Sequence, residues 1–405
     1  MEPAPQLRAA DGSDLRPEGR TGVRARHLAL FFSGLSGGGA QRRMLTLAAE
    51  FRRRGHRVDV VVARPDGPFH TAPPPGAHLV VAKSAAQRFP WLRRRKGLSV
   101  LASVPALARY LRHAHPDVLL SSSNPANLAA LLARRLAGTR TPVVVTVNVH
   151  VSSAVANRGG AARLFLARAI ARQYPRADAI IAGSRCVADD LARASGLSRD
   201  RITVIHNPIA AAEIWRQAQA PLDHPWFAPN EPPVVLGVGK LKVQKDFPTL
   251  VRAFAMLRAR RPVRLLMLGE GEQRAALTAL ARQLAIAGDV GLPGFVANPF
   301  AFMARAGVFA LSSAWEGFSN VLAEALACGC PVVSTDCPGG VAEILDGGTY
   351  GALVPVGDAD ALAAALAAAL DAPPPREWLQ ARARAFSVES AAEQYLAVML
   401  ACAGD

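Results

Sequence analysis

The chain has 405 residues, 51% hydrophobic and 19% charged, with 33 Gly and 30 Pro. That composition excludes a disordered, collagen-like or low-complexity chain, and the length exceeds what one core usually supports, so two domains are expected. The net charge of +16 is unevenly placed, because residues 1–212 hold 32 Lys and Arg against 12 Asp and Glu while residues 213–405 hold 15 against 19.

No apolar run approaches the ~20 residues a spanning helix needs. Residues 1–26 lack the apolar core of a signal peptide, so the chain is expected in the cytoplasm. Its five cysteines, an odd and small number, suit a reducing compartment. Cys328, Cys330 and Cys337 cluster without zinc-ligand spacing and read as small buried hydrophobes.

In chain order, residues 1–25 mix Pro, Gly and charge without periodicity and are expected to be a disordered tail. An apolar run at 27–32 then leads into Gly34-Leu35-Ser36-Gly37-Gly38-Gly39, followed by a helical pattern carrying Met44, Leu45, Leu47, Ala48 and Phe51. Further short strands are expected at 58–63, 118–121, 142–149, 179–182 and 202–205, separated by Ala/Leu/Arg helices. Between them, Arg93-Arg94-Arg95-Lys96 beside Phe89-Pro90-Trp91-Leu92 joins a basic run to apolar anchors, the pattern of an interfacial contact with an anionic membrane.

From about residue 211 to 233 the pattern lapses into Pro, Trp and polar residues, as a linker would. A second series follows, with strands expected at 234–239, 263–268, 308–312, 331–334 and 352–354, a helix at 360–370 and an amphipathic stretch at 388–400. Strand and helix alternating in this way predict an α/β chain of two doubly wound parallel sheets, facing each other across a cleft at the strands' carboxyl ends. The expected division is a tail at 1–25, one Rossmann-like domain at 26–212, a linker at 213–233, a second domain at 234–380, and a C-terminal helix at 381–405 packing back.

The strongest local signal is Trp315-Glu316-Gly317-Phe318-Ser319-Asn320-Val321-Leu322-Ala323-Glu324-Ala325, at a strand end and opening a helix. Gly317 permits a tight turn, and the amides of Phe318 to Val321 form an anion site suited to a diphosphate. Glu324, about one turn into the helix, can accept bonds from paired ribose hydroxyls. Taken alone, the two glutamates read rather as a cap and a solvated helix face.

With Ala327-Cys328-Gly329-Cys330-Pro331-Val332-Val333, Gly339-Gly340, Glu343-Ile344 and Gly351-Ala352-Leu353-Val354-Pro355, the segment resembles family 4 of the retaining glycosyltransferases. The likeness continues upstream through Val238-Gly239-Lys240-Leu241, Lys245-Asp246, Leu268-Gly269-Glu270-Gly271, Gly294-Phe295-Val296, Asn207-Pro208 and Gly37-Gly38-Gly39-Ala40-Gln41, covering nearly everything from about residue 27 onward.

The resemblance implies a GT-B fold, a nucleotide-sugar donor in the second domain, an acceptor in the first, retention of configuration, and neither cofactor nor metal. It places Glu316 and His150 beside the donor sugar and Glu324 on the ribose. Lys240 and Lys245 become the basic pair on the diphosphate, Val296 a backbone contact to the base, and Gly38 and Gly39 a loop approaching the phosphates. Lys240 departs from the family, which often has Arg there, and so lacks a planar fork. Within the family, Thr335-Asp336-Cys337-Pro338-Gly339-Gly340 is similar to bacterial members extending lipid-linked or surface saccharides. This suggests a UDP-sugar donor, a saccharide or phosphorylated lipid acceptor, and membrane contact through Trp91, Arg93, Arg94, Arg95 and Lys96.

Other readings compete. The first glycine loop fits a dinucleotide site, but the second strand runs into Arg64 where such sites need an acid. Asp358-Ala359-Asp360 imitates metal-binding carboxylates and reads as a helix cap. A basic nucleic-acid- or membrane-binding protein with a vestigial site, or a GT-B epimerase, is the remaining alternative. The expectation is an enzyme without a nucleic-acid partner.

Overall fold

The structure, a computed structural model, describes residues 24–35, 39–64, 73–83, 96–156 and 160–404. Gly38, Trp91, Arg93, Arg94 and Arg95, together with the Lys96 side chain, lie outside the described residues, as does nearly all of the expected tail.

Seven parallel strands form the first sheet, in the order β3-β2-β1-β4-β5-β6-β7. They are β1 (His27–Phe32), β2 (Arg57–Val62), β3 (His78–Val81), β4 (Val118–Ser122), β5 (Val143–Val147), β6 (Ala179–Ala182) and β7 (Ile202–Val204). Six more form the second, in the order β10-β9-β8-β11-β12-β13: β8 (Val234–Val238), β9 (Arg264–Leu268), β10 (Val290–Gly294), β11 (Val308–Leu311), β12 (Val332–Thr335) and β13 (Ala352–Val354). Helices cover both faces of each sheet. Central strands are therefore buried on both sides and read as apolar runs, as in β6 (AIIA) and β11 (VFAL).

The strand order reverses between β1 and β4 in the first sheet and between β8 and β11 in the second. At such a switch point neighbouring loops part in opposite directions and leave a crevice at the carboxyl ends.

Two strands were not legible in the sequence. β3 is a four-residue edge strand, and β10, with the sequence VGLPG, carries two glycines and a proline that only an edge tolerates.

The stretch expected as a linker opens with the helix Ala211–Ala218. Its Ile214 and Ala218 enter the second sheet's core with Leu236, Leu266 and Phe309. The chain crosses to the second domain beside Ile209 and returns beside Phe386, and the Ile209 amide donates to Phe386 O at 2.7 Å, so the two crossings lie side by side. The last helix, Val388–Ala403, places Tyr395, Leu396 and Met399 against Leu30, Met44 and Phe51 of the first domain, roughly 1.5–3 kcal/mol of burial for each large side chain. No helix among the described residues is long and apolar enough to cross a membrane.

Candidate functional site

A cleft of about 780 Å³ lies between the carboxyl ends of the two sheets, lined from both domains. From the first domain come Gly39, Arg42, Ser122, Asn124, Asn148 and Asn207; from the second come Lys240, Lys242, Lys245, Val296 and the run from Glu316 to Val321 with Glu324.

Glu316 is held in the loop after β11. Its amide donates to Pro338 O at 2.8 Å, and its carboxylate Oε1 accepts from Ser313 Oγ at 2.6 Å and pairs with Lys245 Nζ at 2.6 Å. The lysine turn, Val243–Lys245, is fastened to that loop by Gln244 Nε2 donating to Trp315 O (2.9 Å) and Ser312 Oγ donating to Lys245 O (2.8 Å). Gly269 makes the neighbouring turn possible, since a Cβ there would stand 1.9 Å from Gly239 O.

Gly317 serves the domain junction. A Cβ on it would stand 1.9 Å from Asn148 O of the first domain. The chain then passes through Ser319 at φ 76°, a backbone state costly for any residue but glycine, and opens the helix Asn320–Ala327. Among the described residues no acceptor reaches the amides of Phe318 to Val321, which leaves four donors for an anion at a helix start. Ser123, at φ 89°, strains the first domain's rim in the same way, and both hydroxyls are buried without a partner among the described residues.

Glu324 lies one turn further on, with Oε1 3.5 Å from Arg42 of the first domain. Burial pushes its carboxyl above the ordinary carboxylate range, against the pull of Arg42 and Lys245. Lys242 is lowered by burial and then by the neighbouring Lys245 charge. Lys240, Lys242, Lys245 and Arg42 share the cleft lining with Glu270, Glu316 and Glu324, so cations stand within reach of a diphosphate although acids balance most of their charge.

Of the expected site residues, the structure brings Gly39, Lys240, Lys245, Val296, Glu316, Gly317, Phe318, Ser319, Asn320, Val321 and Glu324 into one cleft. His150, expected beside the donor sugar, is not among the lining residues, although Asn148 and Val149 directly before it in the chain are. Its Nδ1 meets Ser153 Oγ at 2.9 Å and its Nε2 lies 3.5 Å from Asp190. Sequence reasoning missed Lys242, Arg42, Asn148 and Asn207. Lys242 could have been found from its position between two lysines already singled out. Asp358 caps the helix Ala359–Asp371 by accepting from the Ala361 amide at 2.9 Å.

Two doubly wound α/β domains meeting at such a cleft constitute the GT-B fold. Residues 37–213 match the family described as Glycosyltransferase Family 4, and residues 232–372 match Glycosyl transferases group 1. Both halves of the chain therefore carry glycosyltransferase domains, the first of them matched to family 4.

Among curated relatives, the Campylobacter jejuni N-acetylgalactosamine-N,N'-diacetylbacillosaminyl-diphospho-undecaprenol 4-alpha-N-acetylgalactosaminyltransferase is 34% identical over 235 residues, 58% of this chain and 61% of that protein. The lipopolysaccharide core biosynthesis glycosyltransferase LpsE of Rhizobium meliloti is 34% identical over 194 residues, 48% of this chain and 54% of that protein. The match therefore spans less than two thirds of either relative. In fold, the chain resembles Anabaena HepE in complex with UDP and glucose, with a TM-score of 0.74 at 22% identity over 92% of this chain and 98% of that one.

Proposed function

We propose that this chain is a retaining, metal-independent glycosyltransferase that moves a sugar from a UDP-sugar to a saccharide or phosphorylated lipid acceptor in bacterial cell-envelope synthesis. The observation that carries the reading is the Lys245–Glu316 pair at 2.6 Å, in one cleft with the four free amides at the start of the helix Asn320–Ala327.

In this reading Lys240, Lys242, Lys245 and those amides hold the diphosphate and take up the charge that develops as the sugar leaves. Glu324 binds the ribose, Val296 meets the base, and Glu316 and His150 border the donor sugar. The acceptor hydroxyl approaches the face from which the nucleotide departs and passes its proton to the donor phosphate, so the chain contributes position and electrostatics. UDP in the HepE structure favours the uridine donor, and the Campylobacter relative's diphospho-undecaprenol acceptor favours a lipid carrier. The basic first half and the segment from Trp91 to Lys96 would meet the anionic surface on which such a carrier resides.

A thermal-shift panel of UDP-, GDP-, ADP- and dTDP-sugars tests the donor, because bound donor raises apparent stability by mass action. UDP-sugars are expected to give the largest shift. A larger shift with another base rejects the uridine assignment, and no shift with any rejects the donor site. Flotation with anionic liposomes tests the membrane contact; no binding, or no effect of neutralising Arg93 to Lys96, rejects it.

A further inference from the structure

Arg43 is the unexpected residue of the first domain. It sits in the first turns of the helix Gly39–Arg53, 2% exposed, on the face that also buries Met44, Leu47 and Phe51. A buried guanidinium normally has a carboxylate. Here no Asp or Glu among the described residues pairs with it, and its partners are all neutral oxygens. Nη1 donates to Asn148 Oδ1 and to Asn207 Oδ1 at 2.8 Å, while Nη2 donates to Ser122 Oγ at 2.8 Å and Thr146 Oγ1 at 3.0 Å. Burial lowers its pKa from the ordinary arginine value, against an opposing pull from Tyr395.

Three of those four partners line the cleft. With its oxygen fixed on Arg43, the Asn207 carboxamide turns Nδ2 toward the other domain and donates to Asn320 Oδ1 at 2.7 Å, at the first residue of the helix whose amides are free. The two carboxamide oxygens converge over Gly183, where a Cβ would lie 2.7 Å from Asn148 Oδ1 and 3.3 Å from Asn207 Oδ1. No side chain fits there to orient them instead.

We propose that Arg43 is a positioning residue for an anionic ligand of the cleft, a buried cation without an acidic partner among the described residues that aims Asn148 and Asn207 and joins the first domain to the start of the helix Asn320–Ala327. The inference rests on the donor reading above and names its chemistry: the charge that complements Arg43 is supplied by a nucleoside diphosphate. Arg42, its neighbour, acts differently, since it is half-exposed and reaches Glu324 across the cleft.

A purely structural Arg43 and a positioning Arg43 differ in what substitution does. Arg43→Met keeps length and removes charge and fork, whereas Arg43→Lys restores the charge alone. Binding of UDP to the full chain is measured by calorimetry beside the Tm of the free protein. Arg43→Met is expected to weaken UDP about tenfold, with the free Tm within about 3 °C of wild type, because losing four bonds is offset by releasing a buried charge. Arg43→Lys is expected to recover UDP to within about threefold.

Wild-type affinity in Arg43→Met overturns the inference, as does an affinity loss that Arg43→Lys leaves in place. Should Arg43→Met fail to fold, Asn207→Ala decides. It cuts the link to Asn320 and leaves Arg43 intact; weakening of about threefold or more supports the inference, and unchanged UDP binding overturns it. If the wild-type chain binds none of UDP, GDP, ADP and dTDP, the donor reading itself has failed and this inference falls with it, an outcome distinct from equal binding by wild type and variant.

Discussion

Lys245 Nζ and Glu316 Oε1 lie 2.6 Å apart, and that oxygen also accepts from Ser313 Oγ, so the free protein holds its central lysine on its central carboxylate. On the proposed reading, a diphosphate competing for Lys245 would draw it from that pair and leave Glu316 facing the sugar. Glu316→Gln separates these roles, because it keeps the shape and removes the charge. Sugar transfer, read as UDP release from the donor that the thermal panel selects, is expected to fall by about a hundredfold or more, the order of losing one pre-organised polar group at a reacting centre. UDP affinity is not expected to fall, since Lys245 is freed for the phosphates. Full turnover by this variant would remove Glu316 from the chemistry.

Gly317 brings the second domain's backbone close to the first, with its missing Cβ directed at Asn148 O. Gly317→Ala puts a methyl where no flexible atom can yield, so the domains must separate. We expect UDP affinity to drop about tenfold or more, with far-UV circular dichroism unchanged because neither sheet is touched. The radius of gyration from small-angle scattering should rise. Wild-type UDP binding would mean that the approach of Gly317 to Asn148 is dispensable.

The part of the second domain's half that follows β11 was legible because its residues are local, whereas Lys240, Lys245 and Val296 lie far off in sequence and were reached only through resemblance. Glu316, Gly317, the free amides and Glu324 occupy nine consecutive positions, so one strand-to-helix junction builds them all. The first domain's half is dispersed over residues 42, 43, 122, 148 and 207, which only the sheet brings together. Arg43 was invisible for a further reason. In a helix whose pattern predicts an apolar face, a charged residue at an interior position is read as solvent-facing, and nothing local shows that a carboxamide pair awaits it. His150 shows the limit of resemblance, since its strand and neighbourhood follow from the pattern while its bonds to Ser153 and Asp190 depend on the helices behind it.

Glu343 joins the domains by charge. Its carboxylate accepts from the Arg185 and Cys186 amides at 3.0 and 3.1 Å, at the start of the helix Arg185–Ser195, and from His206 Nε2 at 2.9 Å. Burial alone would raise this carboxyl, but the bonds from His206 and the two amides outweigh it and hold the group below its ordinary range. A depressed carboxyl stabilises the fold above the unfolded value of 4.5 and loses that contribution as pH falls through the folded one. Glu343→Gln is therefore expected to cost about 1–2 kcal/mol at pH 7 and nearly nothing at about pH 3. Urea unfolding at both values measures the difference, and a cost independent of pH would refute the assignment.

Glu324 has the opposite sign. Burial raises its carboxyl, with Arg42 at 3.5 Å only partly offsetting this, so its contribution to stability is full below the ordinary carboxylate range and is lost as pH rises through the raised value. When ionised, this carboxylate is a charge in a poorly solvated place, which paired hydroxyls from a ribose would satisfy. Glu324→Gln is accordingly expected to raise the free protein's Tm by about 2–4 °C at pH 7.5 and by little at about pH 4. The same substitution should weaken UDP about tenfold while leaving inorganic pyrophosphate unaffected, because only the nucleotide brings a ribose. Equal losses for UDP and pyrophosphate would place Glu324 on the phosphates instead. A Tm that falls at pH 7.5 would show that the Arg42 pair outweighs the cost of burial.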